Sequence, residues 1–197
     1  MRSEMEKPKI ASDIDDVWVP FMETYLKFHN KMHNTNYKLE DVSNYHLWKC
    51  GIHNSREESV KEVLDFQKSI YFDELQLIKG AKEILEKLLK KYQIPFITSR
   101  PEEIKEKTES LFKGYFPKNG FNILYSGEIY GGKLSKAEIC KINNIPRIIE
   151  DNPDYALDCA KNEIKVFLLN KPWNKNYEKH KNIIVVKNLE EVFERLK

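Results

Sequence analysis

Cysteine is scarce in this chain of 197 residues: Cys50, Cys140 and Cys159 stand far apart with no paired metal spacing. Their odd number argues against a disulfide framework, and reduced thiols in a cytosolic protein are expected. An excess of charge of one sign is lacking too. Lys and Arg number 33 against 31 Asp and Glu, a net charge of +2, so charge alone calls for neither nucleic acid nor an anionic membrane as partner. No run of about 18 uninterrupted apolar residues occurs, which excludes a spanning helix on pattern. The first residues, MRSEMEKPK, lack the apolar core of a secretory leader. A cytoplasmic protein without a membrane partner is therefore expected. No internal repeat or low-complexity tract appears, and the length suits one sizeable core, or a core carrying a smaller insertion.

What the chain does have is acid in an unusual place. In KIASDIDDVWV, Lys9 to Val19, the aspartates Asp13, Asp15 and Asp16 lie between apolar flanks. Carboxylates beside core-forming residues need a cation, a metal or several donors to stay ionised, because desolvation disfavours the charged form. A hard divalent cation such as Mg²⁺ would supply that compensation with oxygen ligands. An Asp-rich turn that caps the next helix is the alternative.

The rest of the chain places this cluster. Trp18 to Lys31 repeats apolar residues (Trp18, Phe21, Met22, Tyr25, Leu26, Phe28) at helical spacing, with Pro20 suited to a first turn. Ser55 opens a second periodic stretch, with Glu58 as a capping-box partner. The segment from about Trp18 to Phe72 thus reads as helical, an insertion rather than a continuation of the core. A helix over Gly80 to Tyr92 then leads into the apolar run Ile94 to Thr98, and strands and helices alternate to the end. Strands are expected at Asn122 to Tyr125, Arg147 to Ile149, Lys165 to Leu169 and Ile183 to Val186, with helices at Ser135 to Ile142, Asp154 to Lys161 and Leu189 to Leu196. Such alternation predicts an α/β fold: a Rossmann-like parallel sheet sandwiched by helices.

In such a sheet ligands sit beyond the carboxyl ends of the strands, where strand order reverses. Strand one ends at Asp13 to Asp16, the next at Thr98 to Arg100, and a later one at Glu150, Asp151, Asn152 and Asp154. Acid, hydroxyl and acid therefore converge on one rim. With a metal bridging to Asp151, one of Asp13 and Asp15 can act as nucleophile while the other moves protons; metal ligation alone, or a turn alone, also accounts for the pair. Thr98 could donate to an anionic oxygen, though a β-branched residue suits a strand end anyway. Lys133 and Lys136 flank a helix N-terminus, where a cation opposes the helix dipole unless an anion or carboxylate cluster is near.

The order DIDDV, FITSRP, SKAEIC and IIEDNPD resembles the four motifs of the haloacid dehalogenase (HAD) superfamily. The helical insertion resembles its small C1-type cap, and the match spans nearly the whole chain. TSRP, IEDNPD and KPWN at Lys171 to Asn174 are most similar to the 5′(3′)-deoxyribonucleotidase group and its nucleotidase-like relatives. The resemblance implies a core over residues 1–17 and 80–197 with a cap over 18–79. It implies Asp13 as a nucleophile forming an aspartyl-phosphate and Asp15 as general acid and base. Thr98 and Ser99 would bind the phosphoryl group, and Lys136, preferred over Lys133, would neutralise charge. Mg²⁺ would be held by Asp13, the backbone carbonyl of Asp15 and Asp151, with Glu150 and Asp154 behind them. Asp16 stands where many relatives have glycine, which bears on the local turn.

The implied activity is Mg²⁺-dependent hydrolysis of a phosphomonoester, with a (deoxy)nucleoside monophosphate as the favoured small-molecule partner. The acid at position 15 favours this reaction, since a leaving alkoxide needs a proton. A sugar phosphatase, a nucleic-acid 3′-phosphatase and a non-catalytic phosphate-binding protein are the alternatives. Substrate choice is expected to rest on the insertion: Phe21, Tyr25, Tyr45, His46 and Trp48 could stack on a base, and Asn44 or Arg100 could donate to a nucleotide's polar edges or its phosphate, although aromatics at helical spacing are more often core. Oligomeric state is open, a homodimer included.

Overall fold

The computed structural model describes residues 6–118, 120–126 and 134–196. Six parallel strands form one sheet in the order β3-β2-β1-β4-β5-β6: β1 (Ala11–Ser12), β2 (Phe96–Thr98), β3 (Ile123–Tyr125), β4 (Arg147–Glu150), β5 (Lys165–Leu169) and β6 (Ile183–Val186). The strands bury both faces, and their residues alternate accordingly. Phe96, Ile149, Phe167 and Leu169 enter one apolar cluster, whereas Ile97, Ile148, Val166 and Leu168 enter another. Period-two alternation between two cores is what a sheet covered on both sides requires. Helices α4 (Ala81–Lys91), α5 (Lys105–Tyr115) and α8 (Leu189–Arg195) cover the first face, while α6 (Lys136–Ile142) and α7 (Pro153–Lys161) cover the second.

Between β1 and α4 the chain makes α1 (Phe21–His33), α2 (Arg56–Lys68), α3 (Ile70–Asp73) and short 3₁₀ turns, with no paired strand. Phe66 is the centre of this segment: Phe21, Tyr25 and Phe72 each meet it edge to face at 5.2, 5.5 and 5.6 Å, the geometry the aromatic quadrupole favours. The same apolar cluster continues through Trp18 to Phe96 on the sheet. The Ile78 amide donates to the Trp18 carbonyl at 2.7 Å, so the chain leaves and re-enters the sheet layer at one point.

Local chemistry moves several boundaries from their expected places. Trp18 does not lie in α1: it is fully buried against Phe96 at 6.2 Å, and its indole donates to Ser12 Oγ at 2.6 Å. A turn intervenes, in which Asp16 donates its amide to Val19 and Trp18 to Ile14, and Pro20 stands just before the first residue of α1. Ser55 caps α2 by accepting from the Glu58 amide, but Glu58 returns its carboxylate to the Asn54 amide rather than to Ser55. The strand expected from Ile94 begins at Phe96. The Pro95 carbonyl still accepts from the Ser12 amide, but its nitrogen has no proton to donate.

β1 is central because β2 flanks it on one side and β4 on the other, with Ser12 in register with both Phe96 and Ile149. Strand order therefore reverses between β1 and β4, and the crevice beyond their carboxyl ends is the expected ligand position. Phe96 packs against Trp18, Phe112 and Phe121. Phe96→Ala is expected to cost about 3–5 kcal/mol of stability, read from the midpoint shift in a denaturant titration; a loss below about 1 kcal/mol would show that the sheet does not depend on this contact.

Candidate active site

The crevice opens where the backbone of β1 ends. The Asp13 amide donates to Ile149 O at 2.9 Å, which ties the first residue past β1 to β4. Lys136, the first residue of α6, reaches into this point with its side chain 1% exposed. Its ammonium lies 2.9 Å from Asp13 Oδ1 and 2.8 Å from Glu150 Oε2, and 4.6 Å above the Tyr155 ring. Burial alone would lower the lysine, but Asp13 and Glu150 together hold it well above its usual range, so it is a cation. Glu150 is fully committed: Oε2 takes the lysine, while Oε1 accepts from the amides of Asp151 at 3.3 Å and Asn152 at 3.1 Å.

Asp151 is 2% exposed and is anchored from the loop after β5. The Trp173 indole donates to its Oδ2 at 3.0 Å, and Asn174 donates to its carbonyl at 2.7 Å while also donating to Leu169 O. These two buried residues belong to KPWN, and nothing in the sequence alone places that stretch against Asp151. Tyr155 under Lys136 is likewise missed by sequence reasoning; its only signal is its place one turn into α7.

Asp15 points to the other side of the rim. Arg100 grips it with two parallel bonds, Nη2 to Oδ1 at 2.6 Å and Nε to Oδ2 at 2.9 Å. Arg100 itself is 2% exposed, donates to Thr108 Oγ1 and lies 4.8 Å over the Phe72 ring. A residue expected to read substrate thus first of all fixes a neighbouring acid. Thr98 is fully buried at the end of β2 and its hydroxyl oxygen accepts from the Arg100 amide, whereas Ser99 lines the cleft with its hydroxyl 3.3 Å from Ser126 Oγ.

Asp16 has a structural task. It adopts φ +56°, the left-handed region that favours glycine, and its carboxylate oxygens both accept from the Met22 amide at 3.1 Å. The strain, about 1–2 kcal/mol, accompanies a cap for the first turn of α1. Lys133 lies outside the described residues.

Facing the acids is a cleft of about 1050 Å³, counting its open mouth, bounded on one side by these rim residues and on the other by α1, α2 and the turn over 45–48. Phe21, Tyr45 and Trp48 all line it. Phe21 is also built into the aromatic packing around Phe66, while Trp48 stacks on His46 at 4.5 Å. Tyr45 stands edge-on to Tyr155 at 6.5 Å; burial, Tyr155 and the acid cluster push its hydroxyl well above the usual tyrosine range. Asp154, expected behind the metal ligands, turns its exposed carboxylate to His46 Nε2 at 2.8 Å instead and so links the start of α7 to the helical segment. Its amide is satisfied by Asn152, the cap of α7, and no second acid is needed behind Asp151 because Trp173 and Asn174 occupy that place.

The donor set fits a hard cation. Oxygens of Asp13, Glu150 and Asp151 lie within 4.8 Å of one another, and a single lysine neutralises only part of their charge. Burial, with Glu150 adding to it, pushes Asp13 up to about 8 despite Lys136. Asp151 is raised well above its ordinary range by burial and by Asp16 and Asp13, and burial raises Asp16 to about 7. Acids that strain toward protonation in an all-oxygen pocket are what a divalent cation relieves.

Comparison with known proteins agrees with this architecture. Residues 7–121 match the family model described as 5′ nucleotidase, deoxy (pyrimidine), cytosolic type C protein. A nucleotidase of Clostridium acetobutylicum is 29% identical over 96% of this chain and 93% of its own. The solved structure of a haloacid dehalogenase-like hydrolase from Streptococcus pneumoniae superposes with a TM-score of 0.66 at 15% identity, over 97% of this chain and 99% of that one. A HAD hydrolase from Bacillus subtilis, solved bound to magnesium, does so with a TM-score of 0.60 at 16% identity, over 97% and 99% of the two chains.

The raised carboxyls give a pH signature. A group whose folded value lies above its unfolded 3.8 stabilises fully only below that value, and this contribution is lost as pH climbs through about 7 to 8. In EDTA the melting temperature should fall between about pH 5.5 and 8.5, and Mg²⁺ should raise it more at the higher pH. Asp151→Asn should flatten both trends in a thermal-shift series. A melting temperature that rises across this window, or a Mg²⁺ shift equal at both ends, would rule out cation binding by these strained acids.

Proposed function

The chain belongs to the 5′ nucleotidase, deoxy (pyrimidine), cytosolic type C family and is a HAD-fold phosphatase of nucleotidase type, and on that premise we propose a Mg²⁺-dependent hydrolase of nucleoside monophosphates that works through an aspartyl-phosphate. The observation that carries the reading is Lys136, buried between Asp13 and Glu150 at the strand-order reversal and leaving one Asp13 oxygen outside its grip. Asp13 and Asp151, with the carbonyl of Asp15, would hold the cation. When bound, it offsets negative charge on the nucleophile and the phosphate.

Asp13 attacks phosphorus: a Oδ–P bond forms as the ester P–O bond breaks, and the departing alkoxide takes a proton from Asp15. Asp15 then removes a proton from the water that attacks the aspartyl-phosphate, which releases inorganic phosphate and restores Asp13. Lys136 stabilises the shared charge throughout. In this reading Thr98 and Ser99 bind the phosphoryl oxygens, Ser99 from the cleft wall and Thr98 from its buried place at the end of β2. Arg100 holds both oxygens of Asp15 in the substrate-free state. Because Thr108 and Phe72 fix the guanidinium, an arriving phosphate that competes for it frees Asp15 to turn toward the leaving group.

Residues 18–79 serve as the cap in this reading, and nucleoside recognition falls to their side of the cleft. Phe21, Tyr45 and Trp48 offer rings for a base. Gln67, also on that wall, has its carboxamide oxygen buried without a partner, an acceptor suited to an exocyclic amino group.

A panel of phosphate esters assayed with Mg²⁺ and with EDTA tests the proposal. Nucleoside monophosphates should give the highest kcat/KM, turnover should vanish in EDTA, and Asp13→Asn should abolish it in a folded protein. Asp15→Asn should lower kcat by about 10²–10⁴-fold. A preference for sugar phosphates or nucleic-acid 3′ ends would overturn the substrate assignment; phosphate binding without turnover of any ester would overturn the enzymatic one.

A further inference from the structure

Away from the acids, the helical segment gathers three of the chain's 5 histidines around one carboxylate. His29 and His33 stand four residues apart on α1, on one face. His29 Nδ1 lies 2.6 Å from Glu62 Oε1, and His33 Nε2 lies 2.7 Å from Glu62 Oε2. His53, from the turn before α2, places Nδ1 4.0 Å from the same Oε2 and 3.9 Å from Glu58 Oε1. His29 and His53 are each 3% exposed. Ligand atoms of His29, His53 and Glu62 all fall within 4.8 Å of one another.

We infer that this cluster is a second metal site, with nitrogen-rich ligation by His29, His53, Glu62 and, from the solvent side, His33, for a borderline transition-metal ion of the Zn²⁺ class. A tetrahedral Zn²⁺ with bonds of about 2.0–2.1 Å sets its ligand atoms about 3.3 Å apart, between the shortest and longest separations here. A hydrogen-bond network alone leaves one group unexplained: His53 Nδ1 is buried with no partner. Its other nitrogen, Nε2, is 2.6 Å from the Tyr25 hydroxyl, which in turn donates to Glu62 Oε1 at 3.0 Å. With Nε2 donating to Tyr25, Nδ1 presents its lone pair toward the Glu62 carboxylate. A ligating histidine whose second nitrogen is held by an oriented polar group is the usual arrangement at such sites.

Donor type separates this site from the core acids. Imidazole with a single carboxylate suits Zn²⁺, Co²⁺ or Ni²⁺, whereas an all-oxygen set suits Mg²⁺. The ion would cross-link α1, α2 and the turn between them, and it would fix Tyr25, which lines the cleft. The inference does not rest on the catalytic reading, since it concerns ligands that the acids do not share.

Tag-free protein stripped with a chelator and titrated with Co²⁺ provides the test, because four-coordinate Co²⁺ absorbs in the visible where Zn²⁺ is silent. About one equivalent should produce the band, Zn²⁺ should displace it and Mg²⁺ should not. Glu62→Gln and His33→Gln should each weaken Co²⁺ binding by about 10-fold or more, whereas Asp151→Asn should leave it unchanged. His33 is half exposed at its side chain, so His33→Gln carries the test where Glu62→Gln fails to fold, as judged by circular dichroism. No band in the folded wild type, a band unaltered by His33→Gln, or a band lost with Asp151→Asn would each overturn the site.

Discussion

A single buried ammonium holds this molecule's rim together. Lys136 comes from α6 yet is closed in by Asp13 beyond β1, Glu150 at the end of β4 and Tyr155 on α7. Taking one cation and two carboxylates out of water costs several kcal/mol per ion unless each is fully partnered. Glu150 meets that condition with two backbone amides in addition to the lysine. Asp13 does not, and neither does Asp151, whose oxygens receive a single indole proton between them among the described contacts. The charge imbalance thus lies on the two acids that face the cleft rather than on the one behind them, and that asymmetry makes the rim a site rather than a salt bridge.

The opposite wall depends on how the helical segment is attached. Its two ends meet at the Ile78–Trp18 hydrogen bond, its first helix is capped by Asp16, and its far side reaches α7 through His46 and Asp154. Trp18 and Asp16 follow Asp13 by only a few residues, so the loop that carries the candidate nucleophile also sets the direction of α1. A cleft between rim and segment follows from that economy. The exposed His46–Asp154 pair is the weakest of the three attachments, as solvent screens it, and a segment anchored firmly at one end and loosely at the other can admit a ligand between.

Much of this was legible in the chain. Strands β5 and β6 lie where their apolar runs place them, β5 burying Val166 to Leu169 and β6 burying Ile183 and Val186. Ser135 and Asn152, with Pro153, mark helix starts by chemistry that acts within a few residues. Trp18 misled because its spacing continues the helical period while its indole turns back to Ser12 at the end of β1. Arg100 shows another limit: a basic residue beside TSRP reads as a substrate contact, and only the fold brings Asp15, distant in sequence, against it. The contact of Asp154 with His46 is hidden for the same reason, since the two are far apart along the chain.

The sequence by itself determined the α/β class, the sites where strands end in acid or hydroxyl, and the helical character of the segment between β1 and α4, because periodicity, turn residues and caps act over a few positions. Tertiary structure alone decided which acid each cation meets, that Trp173 and Asn174 brace Asp151, that Phe21, Tyr45 and Trp48 share one cleft, and that three histidines converge on Glu62. Those facts depend on where separate elements cross in space. Burial then sets the charge on each group, and no local pattern in the chain carries that information.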